Sequence, residues 1–190
     1  RVFFENGDEY GDPGEPVLPF RAVSVLLPEG ATLNGVEVEG INEIEMEGEY
    51  FIRPGQEPFP LLEGVNVSVT MPGDSYFKDE PYFKEVGGEE IKGKVNGYNL
   101  VSFNIYPVNY VPPTKKLTYY EKISVKVYYS TPSLFERARE FFFPKKDNFR
   151  GILDDKERVE GLVDNPLTSE TYNQKEASAS DSGNLITGNV

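Results

Sequence analysis

The side chains that most often carry out catalysis are missing from this sequence. Its 190 residues include neither cysteine nor histidine. Serine–histidine pairs, cysteine–histidine pairs and zinc sites of the familiar types therefore cannot form within it. Carboxylates remain, and a pair of them can perform acid–base chemistry. The candidates Glu43, Glu45, Glu47 and Glu49 alternate along one stretch, which favours a solvated sheet face over a catalytic pair.

Two further sets of residues have spacings that suggest a ligand or a modification. Asn6, Asp8 and Asp12 stand at offsets like the start of a calcium loop, but the EF-hand glutamate is missing and the glycine is misplaced. We expect a turn there, with bound Ca²⁺ as the alternative and no other cofactor. Asn66 begins an N-x-S glycosylation sequon, but it lies in a predicted strand, which favours coincidence.

Composition restricts the partners of the chain. The formal net charge is −13 and the pI is about 4.5. Nucleic acids and anionic membrane surfaces attract Lys and Arg, so neither is an expected partner. No apolar run approaches the roughly 20 residues that a membrane helix needs, so we expect no membrane insertion. A basic protein surface would suit this charge.

The distribution of apolar residues predicts a mainly β protein. The 13 Phe, 12 Tyr, 15 Pro and 18 Gly favour strands and tight turns. The longest alternating stretch forms the last predicted strand, and its period should place Val125 and Val127 in the core. Closely spaced short strands suggest an antiparallel β-sandwich. We predict strands at 20–27, 36–38, 44–46, 50–52, 65–69, 101–105 and 117–129.

The pattern changes after Ser130. Thr131 and Pro132 suit a helix start, and apolar residues then recur at helical spacing. We therefore expect a β-sandwich over residues 1–130 and a short helical C-terminal extension over 131–167. Residues 168–190 are mostly small or polar, so we expect a flexible tail or linker there.

Several segments, in matching order between Gly14 and Tyr129, resemble the prodomain of gingipain-type cysteine peptidases. Residues 14–19 (GEPVLP) and 23–32 (VSVLLPEGAT) are similar to the opening of such prodomains. Residues 76–82 (YFKDEPY) resemble their central aromatic loop. Residues 101–110 (VSFNIYPVNY) and the stretch from Pro113 to Tyr129 resemble their last strands.

This resemblance implies a secreted or cell-surface, non-catalytic prodomain. It would help a linked cysteine peptidase to fold and would keep it latent by blocking the active site in a substrate-like manner. The peptidase catalytic domain would be the partner, joined through residues 168–190 and lying outside this sequence. The alternative is a secreted or cell-surface β-sandwich binding module for carbohydrate or protein, using exposed aromatic side chains.

Four lysines are candidates for the inhibitory contact that the resemblance implies. Lys92 and Lys94 lie in an acidic stretch that we expect to be an exposed loop. They would enter a Lys/Arg-selective pocket lined by a carboxylate; alternatively, they are solvated and balance Glu89 and Glu90. Lys78 and Lys84, in the aromatic stretch, are the next candidates.

A maturation cleavage would need an exposed segment with basic residues. Lys145, Lys146 and Arg150 follow the first predicted helix and provide one. The same residues would also suit the C-terminal end of a helix, where cations are favoured by the helix dipole. A cut in the polar tail nearer Val190 is an equal alternative.

Overall fold

The computed structural model describes residues 7–28, 30–60, 68–95, 98–133, 159–165 and 184–189, the last six by their backbone. Within these residues the chain forms eight β-strands and a 3₁₀ helix at Asp74–Phe77. The strands are β1 Asp8–Tyr10, β2 Leu18–Leu26, β3 Thr32–Glu45, β4 Ile91–Val95, β5 Tyr98–Ile105, β6 Val108–Val111, β7 Lys116–Ser130 and β8 Asn184–Asn189.

The strands form two sheets. One has the order β1-β2-β5-β4 and the other the order β3-β7-β6, with β8 also paired to β7. The β1–β2, β4–β5, β6–β7 and β7–β8 pairs are antiparallel. The predicted mainly β, antiparallel architecture is confirmed at this level.

The long strands follow from alternating apolar residues. Along β7, Leu117, Ile123, Val125, Val127 and Tyr129 are buried, so the predicted core face of this strand is confirmed there. Tyr119 was expected on the same buried face but is 36% exposed. The prediction of strands at 36–38 and 44–46 was too fragmented, because residues 36–38 and 44–45 belong to the single strand β3, which ends at Glu45. Residues 50–52 are not a strand.

The chain divides into two compact units, which we describe separately. The first comprises Arg1–Arg21, Glu39–Gly88 and Ile105–Ile123. Its core joins Leu18 of β2 to residues of the second sheet, so side chains of both sheets share one apolar cluster, as in a β-sandwich. The other buried members of this cluster are Ile52, Val108, Tyr110 and Leu117.

The second unit comprises Ala22–Val38, Glu89–Asn104 and Ser124–Val190. Leu26, Leu100 and Val159 form a buried apolar cluster in it. Asn165 ties the chain after Val159 to β2: its side-chain amide donates to the Leu26 carbonyl at 3.0 Å and accepts from the Leu26 amide at 2.8 Å.

The C-terminal third differs in part from the prediction. The tail was expected to lack regular structure, but Asn184–Asn189 forms β8, and Val127 pairs with Ile186. The prediction is wrong for these six residues, because the β7 edge beyond β6 provides backbone partners that composition alone cannot indicate. Most of the predicted helical extension lies outside the described residues; Val159 and Glu160 are helical and are followed by a turn. No helix in the described part of the chain is long and apolar enough to cross a membrane.

Candidate functional site

Lys92 and Lys94 lie on a strand and not in the predicted loop. Their strand, β4, is the last in its sheet and pairs with β5, with Lys92 opposite Val101 and Lys94 opposite Asn99. The loop prediction was wrong because charged residues are common on edge strands, where they discourage edge-to-edge association.

The β4 strand presents both lysines to solvent. All residues from Ile91 to Lys94 are exposed, and Ile91 is 70% exposed. A Cβ atom added at Gly93 would meet nothing within 4 Å. Neither lysine side chain has an ion-pair or hydrogen-bond partner among the described residues. Their ammonium groups can therefore enter a carboxylate-lined pocket without first breaking an ion pair.

Lys78 and Lys84 lie close to each other in the first unit, after the 3₁₀ helix. Both line the same cleft of about 320 Å³. Lys84 donates a charged hydrogen bond to Glu80, and this bond is the main reason that the pKa of Glu80 is lowered. Lys78 is exposed. An inhibitory role for Lys84 would therefore require it to leave Glu80.

The four alternating glutamates form no catalytic pair. They are exposed, as predicted. Glu43 accepts from Thr118 at 2.7 Å, Glu45 pairs with Lys116 at 2.6 Å, and Glu49 pairs with Lys115 at 3.0 Å. The hydrogen bond from Lys116 to Glu45 raises the pKa of that lysine. Glu43 and Glu45 therefore contact β7, and Glu49 contacts the residue just before it, on a solvated face.

The candidate calcium ligands are only partly described. Asp8 begins β1 and pairs with Phe20. Asp12 belongs to a turn in which its carbonyl accepts from the Glu15 amide at 2.9 Å, and its carboxylate accepts from the Tyr10 hydroxyl. Within the described ranges, no three acidic residues are grouped as metal ligands. Asn6, Asn66, Lys145, Lys146 and Arg150 lie outside the described residues.

Sequence reasoning missed Glu15 and Ser75, which also line the cleft beside Lys78. Glu15 stands in a Gly-Pro turn and Ser75 in a short 3₁₀ helix. Neither has a local sequence pattern that marks a site, and only the fold brings them to one cleft.

Comparison with known families identifies the class of this protein. Residues 1–159 match the Propeptide_C25 family. The chain therefore belongs to this family, the non-catalytic propeptide of C25 cysteine peptidases. No curated protein matches the chain.

Two solved structures from Porphyromonas gingivalis share the fold. One concerns the zymogenic latency of gingipain K; it has a TM-score of 0.54 and 19% identity, and the match covers 67% of this chain and 72% of that chain. The other is a complex of RgpB pro- and mature domains, with a TM-score of 0.57, 20% identity, and coverage of 87% of this chain and 77% of that one.

Proposed function

We propose that this chain keeps a linked gingipain-type cysteine peptidase latent and assists its folding. Membership of the C25 propeptide family carries this proposal. It is supported by the fold shared with the RgpB complex, in which pro- and mature domains are bound to each other. The nucleophile and its base belong to the catalytic domain, since this chain has neither cysteine nor histidine.

The inhibitory contact is assigned to β4. Lys92 or Lys94 enters the specificity pocket of the peptidase in the manner of a substrate side chain, and a pocket carboxylate accepts its charged hydrogen bonds. Both lysines are exposed and unpaired among the described residues. Lys78 is the next candidate, and Lys84 follows because Glu80 already holds it.

The remaining parts of the chain have proposed roles that follow from the same function. The residues that follow β7, among them β8, connect the β domain to the catalytic domain. Maturation cleaves beside Lys145, Lys146 or Arg150, and the zymogen is secreted or displayed at the cell surface.

Inhibition in trans tests the proposal. The chain is added to its mature peptidase, and the inhibition constant is compared among wild type, Lys92→Ala, Lys94→Ala and the double variant. Loss of one buried charged hydrogen-bond partner should weaken inhibition by about tenfold or more. Lys122→Ala, which removes an exposed lysine from β7, is the matched control and should inhibit like wild type. Circular dichroism confirms that every variant is folded.

The outcomes separate the function from the residue assignment. Equal inhibition by all variants would move the contact away from β4, and Lys78→Ala and Lys84→Ala would then be measured. Failure of the folded wild-type chain to inhibit would overturn the latency function and favour a surface binding module.

A further inference from the structure

The cleft beside the 3₁₀ helix has properties that the proposed inhibitory contact does not use. It has a volume of about 320 Å³ and lies within the first unit. Glu15, Asp74 and Ser75 line it together with Tyr82 and Phe83. It therefore combines hydrogen-bond acceptors with aromatic rings, as in many sites that bind a specific group.

Two residues that line this cleft each have a buried polar atom without a hydrogen-bond partner among the described residues. Glu15 Oε2 and Ser75 Oγ have no hydrogen-bond partner among the described residues. An unsatisfied buried polar atom costs free energy, so such atoms are rare and call for an explanation. A donor group bound in the cleft would supply the missing hydrogen bonds.

Backbone hydrogen bonds fix the position of Glu15. The Gly73 amide donates to the Gly14 carbonyl at 2.8 Å, which joins the start of the 3₁₀ helix to the turn that carries Glu15. The Gly55 amide donates to the Glu15 carbonyl, also at 2.8 Å. The backbone that carries Glu15 is therefore fixed before binding, which reduces the ordering cost of binding.

The aromatic wall contains a strained residue. Phe83 has a φ of 61°, which is uncommon for a bulky side chain, and residues in such conformations cluster at binding sites. Its ring stacks on Tyr106 with 3.8 Å between centroids and 13° between planes. Burial, followed by the Glu15 charge, raises the pKa of Tyr82 to about 12, so its hydroxyl stays protonated at neutral pH.

The charges of the lining favour a cation. Three acidic and two basic residues line the cleft, and Glu80 and Lys84 pair with each other. The remaining charged groups are Glu15, Asp74 and Lys78, so the lining keeps an excess of one negative charge. A metal ion fits poorly, because no three acidic side chains in the described part of the chain are placed to hold one together. A guanidinium group fits better, since it offers a planar set of donors to a carboxylate and stacks on aromatic rings.

We propose that this cleft binds an arginine side chain of the peptidase catalytic domain, as a second contact separate from the inhibitory lysine. The proposal that the occupant is the peptidase rests on the proposed function above. The recognition chemistry rests on the Glu15 carboxylate, the Ser75 hydroxyl and the aromatic wall.

A small probe tests the recognition chemistry without the peptidase. Nα-acetyl-arginine methylamide is titrated into the ¹⁵N-labelled chain, and Nα-acetyl-norleucine methylamide serves as the matched apolar probe. The arginine probe should shift the amide signals of Ser75, Tyr76 and Tyr82, and Glu15→Gln should weaken its binding by about fivefold or more. Asp74→Asn, at an exposed position, provides a second variant if Glu15→Gln does not fold. The proposal fails if neither probe binds, because water alone would then satisfy the two buried atoms. It also fails if the arginine and norleucine probes bind equally.

Inhibition in trans tests the occupant. Glu15→Gln should weaken inhibition of the mature peptidase by about tenfold, whereas Glu47→Gln, an exposed change outside both the cleft and β4, should leave it unchanged. Unchanged inhibition by Glu15→Gln overturns the assignment to the peptidase. If the wild-type chain does not inhibit, the proposed function fails, while the probe titration still decides whether the cleft binds a guanidinium group.

Discussion

Glu37 shows how a single exposed carboxylate is held by its neighbours. It accepts a hydrogen bond from the Tyr128 hydroxyl at 2.7 Å and another from the Lys126 ammonium at 3.2 Å. The bond from Tyr128 is the largest cause of a lowered pKa at Glu37, and the bond from Lys126 is the next. Because all three groups are near the surface, the interaction contributes modestly to stability and is weakened by salt.

Removal of the Tyr128 hydroxyl should raise the pKa of Glu37. The folded-state pKa is lowered, so this contribution to stability is present at neutral pH and is lost as the pH falls through that lowered pKa. In Tyr128→Phe the Glu37 pKa should move up toward the ordinary glutamate value, as followed by NMR titration of its carboxyl carbon. Tyr119→Phe changes another exposed tyrosine of β7 and should leave it unmoved. An identical Glu37 titration in Tyr128→Phe would show that the hydrogen bond is absent in solution.

For single residues, the sequence predicts whether a side chain is exposed better than it predicts which residues that side chain contacts. The alternation around Glu43 and Glu45 correctly indicates solvent-facing carboxylates, because burial of one face follows directly from the strand period. Their partners Thr118 and Lys116 lie more than 70 positions away, and only strand pairing brings them together. Glu15 and Ser75 could not be predicted for the same reason.

Gly55 is required where two turns approach closely. A Cβ atom at this position would lie 2.3 Å from the Gly11 carbonyl oxygen and 2.4 Å from that of Asp12. Both atoms belong to the backbone, so Gly55→Ala should destabilise the fold by about 1–3 kcal/mol. Gly35→Ala is the matched control, because a Cβ there meets nothing within 4 Å. Urea unfolding measures both variants, and equal free energies of unfolding would contradict the close approach.

The core face of β7 provides a second prediction about a single strand. Val125 and Val127 are 5% and 1% exposed. Shortening either to alanine removes buried methyl groups and leaves a cavity, which should cost roughly 1–3 kcal/mol. Val69, which is 75% exposed, provides the control: Val69→Ala should change the free energy of unfolding by less than about 0.5 kcal/mol. Unchanged thermal melts in both core variants would show that the face of β7 carrying Val125 and Val127 is not the one that packs in the core.

Strand boundaries were harder to predict than strand faces. The strands predicted at 36–38 and 44–46 left Gly40 between them, outside any predicted strand. In the structure a Cβ at Gly40 would lie 2.4 Å from the Tyr120 ring, so a residue of another strand covers the glycine and β3 continues. Tyr120 also accepts a hydrogen bond from the Asn109 side chain at 2.9 Å. A side-chain contact of this kind between neighbouring strands cannot be recognised from the local sequence.

The whole chain should act as a folding aid if the proposed function holds. Binding to the native peptidase and not to its unfolded form stabilises the native form by mass action. Denatured catalytic domain diluted into buffer should therefore recover more activity when this chain is present in trans and is afterwards removed. An unrelated protein of similar net charge controls for solubility effects. Equal recovery of activity with the two proteins would show that the chain has no chaperone role. The inhibition assay in trans would still test the latency function.

The position of Lys92 and Lys94 on a paired strand bears on how long inhibition lasts. A protease cleaves backbone that has opened, and the rate follows how often the segment opens when reclosing is fast. Backbone pairing of β4 with β5 would protect the peptide bonds next to both lysines even while the proposed contact places a lysine side chain in the pocket. The opening equilibrium of these two strands would therefore set whether the chain behaves toward its peptidase as a slow substrate or as a lasting inhibitor.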